Sequence, residues 1–300
     1  MESENIKRID LAEWEAFGGG GIGTSYYNKT DDGVILKLNK ASFTLDDAKK
    51  EFRRSQGVAA MGLQTPKVLD VVTDGERYGL VVERIKKKVS YSRLIADHPE
   101  RMDEYCRTLA EQTLKLHATR FDAACFGEDV RDMAQLYDEA IQKCDHIPDD
   151  VKRRLKECAE MMEPAETCLH GDLHFGNMVE SEGKNYWIDL GAFCKGDKYM
   201  DLGNMKLLGD CFPPQFVKEV FHFSARRFRK AFGCFQKHYF GERWNDPEVE
   251  RKIEAAALLR AGVCVVYSPK AGKLFFPLIR GEKAKFAIIK FLSRFTKVSV

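Results

Sequence analysis

The chain has 300 residues, of which 44% are hydrophobic and 31% charged. That length exceeds the usual single domain, implies two lobes or two domains, and supports a core large enough to need no disulfide or metal staple. The net charge of +2 singles out no class of partner, but residues 211–300 hold 18 Lys/Arg against 7 Asp/Glu (+11), while residues 1–210 hold 30 against 39 (−9). Such an asymmetry suits an anionic partner, and it suits equally a set of helices that turn basic faces to solvent.

Nine cysteines occur singly, with no CxxC pair. This excludes a disulfide framework and fits the reduced thiols of a cytoplasmic protein. The opening MESENIKRIDLAEWEAF lacks the apolar centre of a signal peptide, and no apolar run is long enough to span a membrane. Nothing in the chain suggests nucleic-acid binding.

In chain order, TSYYNKT and GVILKLNK read as two strands joined by Asp31-Asp32-Gly33, a hairpin signal. DDAKKEFRRSQGVAAMG reads as a helix, acidic at its start and with Gly62 near its end. KVLDVVT and YGLVVERI are two further strands, turned at Asp74-Gly75. Beyond Ile85 the apolar period becomes helical, with apolar residues at Met102, Leu109, Leu114 and Leu116. Residues 129–163 suggest two helices broken at Ile147-Pro148. Short apolar runs return in ETCLH, NMVES and NYWIDL, the last two turned at Glu182-Gly183-Lys184. From about residue 198 the pattern is helical, interrupted near Pro213-Pro214, Asn245-Asp246-Pro247 and Pro269. The order implies a β-rich lobe over 1–85 with one helix, and a helical lobe over 89–300 with a small β-hairpin insert. Phe221, Phe223, Phe228, Phe232, Phe235, Tyr239 and Phe240 recur at helical spacing and are expected in the core.

Four motifs bear on chemistry. Gly18-Gly19-Gly20-Gly21-Ile22-Gly23 fits G-x-G-x-x-G, but it opens a strand rather than a helix, which excludes the dinucleotide-binding reading. A glycine hairpin of this kind can close over phosphates, and it can equally be an unliganded turn. Lys37 lies inside the apolar strand Val34–Leu38, and Glu51 follows in the next helix. An ion pair between them would aim the ammonium at phosphates; the alternative is a lysine on a solvated strand face. His170-Gly171-Asp172-Leu173-His174-Phe175-Gly176-Asn177 matches H-R-D-L-x-x-x-N at four positions, and it falls in a loop between two strands. Such a loop offers a carboxylate to take a hydroxyl proton and an amide oxygen to hold a metal. Asp189, in Trp187-Ile188-Asp189-Leu190-Gly191, follows at a distance that suits a second metal ligand. A competing set, His170, Asp172 and His174, would suit Zn²⁺ or Fe²⁺ but leaves Asn177, Asp189 and Lys37 without a role. His174 taken alone reads as a packed or hydrogen-bonded loop histidine.

Together LHGDLHFGNMV, WIDLGAF and the upstream LKLHAT resemble the aminoglycoside phosphotransferase and choline kinase-like family over about residues 14–210. The resemblance implies an α+β, bilobal protein-kinase-like fold and an ATP- and Mg²⁺-dependent kinase acting on hydroxyls of small molecules. It makes Asp172 the base, Asn177 and Asp189 the Mg²⁺ ligands, and Lys37, oriented by Glu51, a phosphate contact. It places ATP under Gly20, Gly21, Gly23, Thr24 and Ser25, with Glu83 and Ile85 in an adenine hinge within 82–88. His170 and Asp201 would brace the catalytic loop of 168–191, and helices over 198–300 would bind the acceptor. Gly171 stands where protein kinases carry arginine, and no A-P-E follows Asp189. Both departures favour a small-molecule kinase; a catalytically silent nucleotide-binding protein and a protein kinase are the alternatives. The basic C-terminal third, with Arg226, Arg227, Arg229 and Lys230 in one cluster and Lys270, Lys273, Arg280, Lys283 and Lys285 in another, argues against a polycationic acceptor.

Overall fold

A computed structural model describes residues 6–19, 23–126 and 130–281. Lys283 and Lys285 lie outside the described residues, as do Gly20 and Gly21. The N-terminal part is one six-stranded sheet: β1 (Lys7–Arg8), β2 (Trp14–Gly19), β3 (Gly23–Asn28), β4 (Val34–Asn39), β5 (Val68–Thr73) and β6 (Tyr78–Glu83), with α1 (Leu45–Ala60) between β4 and β5. The strand order is β1-β5-β6-β4-β3-β2, antiparallel except where β1 runs parallel to β5. Gly18 and Gly19 of β2 pair with Ser25 and Thr24 of β3.

Strand periodicity sorts β4 to two faces. Leu36 and Leu38 pack with Trp14 and Val72, whereas Ile35 packs with Leu80, Val82 and Phe52 of α1. Lys37 shares the face of Ile35, so its ammonium is directed to the α1 side. Helix α1 starts at a capping box in which Thr44 and Asp47 satisfy each other's backbone N–H groups. Gly62, just beyond the helix, has φ +79° and ends it.

The chain then passes through β7 (Val89–Ser90) into α2 (Tyr91–Asp97), α3 (Met102–Ala118), α4 (Met133–Gln142) and α5 (Asp149–Glu160). Small strands follow: β8 (Cys168–Leu169), β9 (Met178–Ser181), β10 (Lys184–Trp187) and β11 (Cys194–Lys195). They form the sheets β10-β9-β7 and β11-β8. The rest is α6 (Tyr199–Asp210), α7 (Pro214–Phe221), α8 (Ala225–Phe240), α9 (Pro247–Tyr267) and α10 (Gly272–Ile279). The fold is α+β and kinase-like, a sheet with one helix followed by a mostly helical part.

Helix α9 is the axis of the helical part, buried around most of its circumference. A side chain on Gly203 of α6 would overlap the backbone and Cβ of Ala256, so glycine there lets α6 lie directly on α9. Six of the seven late aromatics are buried and Phe240 is partly so, in keeping with a core role. The helix expected here is α3, and within it Leu114 is 41% exposed. The inward stripe of α3 runs through Met102, Tyr105, Cys106, Leu109, Ala110, Thr113 and Leu116, and Leu114 lies off it. No helix among the described residues is long and apolar enough to cross a membrane.

Candidate active site

The loop 170–177 runs from β8 to β9 and is anchored from below by Asp201 of α6. The fully buried Asp201 carboxylate accepts the His170 N–H at Oδ2 and the Gly171 N–H at Oδ1, each at 2.8 Å. His117 of α3 adds its Nε2 to Oδ2 at 3.1 Å. Because an ionised carboxylate can only accept, Nε2 donates there, while His117 Nδ1 meets the Tyr239 hydroxyl at 2.7 Å.

His170 is used on both ring nitrogens. Nδ1 accepts the Asp172 N–H at 3.3 Å and Nε2 donates to the Ile188 carbonyl at 3.0 Å. Burial pushes its pKa below the ordinary imidazole value, against the opposing pull of Asp201 and Asp172. A neutral, fully committed imidazole leaves nothing for a metal, which removes the His170–Asp172–His174 metal set. The one His/Cys/Asp/Glu group with metal-like spacing among the described residues is Asp103, Cys234 and His238, on α3 and α8.

Lowering the pH should therefore weaken the fold through His170. Its folded-state pKa lies below the unfolded value, so the unfolded chain takes up the proton first. Stability is full above about pH 6.5 and falls as pH drops below it, by at most about 1.4 kcal/mol per unit. Melting temperatures between about pH 7.5 and 5.5 should show a steeper decline for the wild type than for His170→Asn; equal slopes would exclude this origin.

Gly171 has φ +80°, and a Cβ there would run into the Ala192 carbonyl oxygen. This is why no arginine, nor any side chain, fits beside the aspartate. Gly171→Ala should cost about 2–3 kcal/mol in urea unfolding; a change within about 0.5 kcal/mol would contradict the clash.

Asp172 is half-buried and held from several sides. Its Oδ1 accepts from Asn204 Nδ2 at 3.0 Å and lies 3.6 Å from Arg260 Nη2. Its Oδ2 faces Asn177 Nδ2 at 3.3 Å and His174 Nε2 at 3.6 Å. Burial pushes the carboxyl up, but His174, then Arg260 and His170, outweigh that and hold it well below the usual carboxylate range. Asn177 Nδ2 also donates to the Asp172 carbonyl at 2.9 Å. With the amide nitrogen turned inward, the amide oxygen points the other way, as a cation ligand requires.

Asp189 caps the strand side of the cleft in a left-handed conformation, φ 57° and ψ 57°. Lys37 reaches across from the sheet and binds its Oδ1 at 2.9 Å. The lysine's direct ion pair is thus with Asp189 rather than Glu51. The Asp189 charge raises the Lys37 pKa most, burial opposes it, and Glu51 adds a smaller push. Burial raises the Glu51 pKa. Asp189 is lowered chiefly by Lys37, while the like charge of Asp172 pushes it upward. The Asp189 carboxylate and the Asn177 amide would offer one charged and one neutral oxygen, a donor set that suits Mg²⁺, which takes few protein ligands plus phosphate and water. Arg54 of α1 holds the following turn through the Gly191 carbonyl at 2.7 Å.

Thr24 and Ser25 lie on β3, with Ser25 paired to Lys37. A Cβ on Gly23 would overlap Leu38 O, so that glycine serves close strand approach. Glu83 ends β6, and its carboxylate accepts the Lys67 N–H at 3.0 Å, leaving its backbone carbonyl as the group it could offer a base. Ile85 is buried.

Three residues of the constellation were not singled out from sequence: His117, Asn204 and Arg260. Asn204 stands one helical turn from Asp201 on α6, a spacing that places both under the same loop. Arg260 is a lone charge in the apolar run AAALLRAGVCVV, as conspicuous as Lys37 in its strand. It is buried, donates to Asn204 Oδ1 at 3.1 Å and to the Tyr137 hydroxyl at 2.8 Å, and so orients the amide that holds Asp172.

Among solved structures, aminoglycoside phosphotransferase APH(4)-Ia superposes with a TM-score of 0.60 at 13% identity, over 91% of this chain and 95% of that one. The gentamicin–APH(2")-IIa complex gives 0.58 at 16% identity, over 96% and 94%. A choline/ethanolamine kinase family protein from Mesorhizobium loti gives 0.54 at 14%, over 95% and 85%. At these identities the likeness concerns the fold. A comparison with curated protein sequences found no significant match. The model of the phosphotransferase enzyme family APH, however, matches residues 13–232, from the first long strand into α8 and through every loop described above. That span is well over half of the chain, which therefore belongs to the APH phosphotransferase family.

Proposed function

We propose that the protein transfers the γ-phosphoryl group of ATP, with Mg²⁺, to a hydroxyl of a small molecule. The observation that carries this reading is the pairing across the cleft: Lys37 from the sheet meets Asp189 at 2.9 Å, beside an Asp172 kept ionised by its surroundings. One structure of similar fold, a thermostable mutant of APH(4)-Ia, is a ternary complex with ADP and hygromycin B, which supports a nucleotide and an acceptor sharing such a cleft.

In this reading Asn177 and Asp189 hold Mg²⁺, which when bound neutralises charge on the phosphate oxygens. Lys37 leaves its ion pair to contact the phosphates. Asp172 aligns the acceptor hydroxyl and takes its proton as the bond to phosphorus forms. His174 and Arg260 favour the ionised form of Asp172, the form that can align the hydroxyl and accept its proton. Asn204 and Arg260 are positioning residues: they fix the Asp172 rotamer and touch no reacting atom.

The test is acceptor-dependent ADP release from Mg-ATP, with nucleotide binding followed separately by thermal shift. Lys37→Met should raise the KM for ATP or lower turnover by at least about tenfold, as expected for loss of a charged phosphate contact worth about 1.5–3 kcal/mol. An unchanged KM and turnover in that variant would exclude Lys37 from the site.

A further inference from the structure

From Asp189 and Asp172 the cleft continues into the helical part, with a volume of about 1030 Å³. That volume takes in the phosphoryl-transfer residues as well as the acceptor side, and it is at the upper end for small-molecule pockets. Its far wall is apolar, built from Leu136 of α4, Phe212, Phe216 and Val220 around α7, Tyr267 at the end of α9 and Phe275 of α10. Val220 and Tyr267 are 40% and 63% exposed, two of only six large hydrophobic side chains so exposed among the described residues. Such side chains left open at the rim of a cleft mark a surface that meets an apolar ligand.

The charges on the wall point the same way. Its acidic residues are Glu51, Asp172, Asp189 and Glu139. The first three belong to the proposed phosphoryl-transfer machinery. Glu139 is occupied, with both carboxylate oxygens on Arg131 Nη1 at 2.8 Å and Lys143 at 3.7 Å. An acceptor with several ammonium groups would find no spare carboxylate among the described wall residues, and would lose hydration against phenyl and leucyl surface.

We infer that the acceptor is an alcohol carried on a large, mainly apolar and non-cationic body. The inference rests on the phosphotransferase reading, since that reading makes this the acceptor side of the cleft.

The test pairs a binding probe with turnover. The probe is 1-anilinonaphthalene-8-sulfonate, an aromatic anion whose fluorescence rises in apolar sites. It should bind the folded full chain at one site, with at least tenfold weaker affinity in Val220→Glu/Tyr267→Glu. Both positions are exposed, so the double variant should fold, and its Mg-ATP affinity should be that of the wild type. In the ADP-release assay, aryl, terpenoid and long-chain alcohols should act as acceptors. Their kcat/KM should fall at least tenfold in the double variant, and aminoglycosides and choline should give no release above background. Preference for aminoglycosides or choline overturns the inference and leaves the phosphotransferase reading standing. So does a double variant that binds the probe and turns over like wild type, or an absence of release with every apolar alcohol while Mg-ATP binds. Failure of the parent reading has a different signature: Mg-ATP does not bind, or release survives Asp172→Asn, and the inference then falls with it.

Discussion

Asp172→Asn should lower turnover by about 10²–10⁴, the usual worth of a general base, with little change in Mg-ATP affinity. The two effects separate because the carboxylate faces Asn204, Asn177 and His174 on the acceptor side, while the ion pair with Lys37 belongs to Asp189. The substitution preserves volume but removes the negative charge from an oxygen that Arg260 approaches to 3.6 Å. It also turns an amide NH₂ toward donors on at least one side. Some stability should be lost too. The folded-state pKa of Asp172 is depressed, so its ionised form stabilises the fold at all pH above the unfolded carboxyl value, and that contribution disappears only as pH falls through the folded value. Steady-state ADP release and melting curves on the same preparations separate the two consequences. Full turnover in a folded Asp172→Asn protein would end the assignment of this residue as the base.

The largest expected effect on stability is at Asp201. Asp201→Ala should cost about 3–5 kcal/mol and lower the melting temperature by on the order of 5–10 °C. The carboxylate is fully buried and satisfies two consecutive backbone N–H groups and an imidazole. Each buried donor left without an acceptor costs about 1–3 kcal/mol. Against a total stability of about 5–15 kcal/mol the loss is severe. Asp201→Asn keeps one acceptor oxygen and should fall between wild type and alanine. Because Asp201 orients His170 and Gly171, it should also reduce turnover through the geometry of Asp172 at temperatures where the variant is still folded. Thermal or urea unfolding of both variants checks the order; an alanine variant as stable as wild type would mean that the loop does not depend on this carboxylate.

Features that depend on neighbours in the chain were legible from the order of residues alone. The β3–β4 and β5–β6 hairpins, the capped helix α1, the β9–β10 turn at Glu182-Gly183 and the helix breaks at Pro148 and Pro214 follow from local periodicity and turn chemistry. The eight-residue loop from His170 to Asn177 was legible for the same reason, since its groups are delivered together by one contiguous segment. The two-residue strands β1, β7 and β11 had no such signal, because a strand that short is defined by its partner rather than its own pattern, whereas β8 falls in the apolar run ETCLH.

Which groups surround the loop was settled by long-range packing. Lys37 and Asp189 are 152 residues apart, and their ion pair, formed in place of one between Lys37 and Glu51, depends on how the sheet sits over the helical part. Arg260 and Asn204 are 56 residues apart and meet because Gly203 lets α6 rest on Ala256 of α9. His117 reaches Asp201 from α3 across 84 residues. A buried charge is tolerated only beside its partner, so the lone cations Lys37 and Arg260 announced in the sequence that partners exist. Packing chose which partners they are.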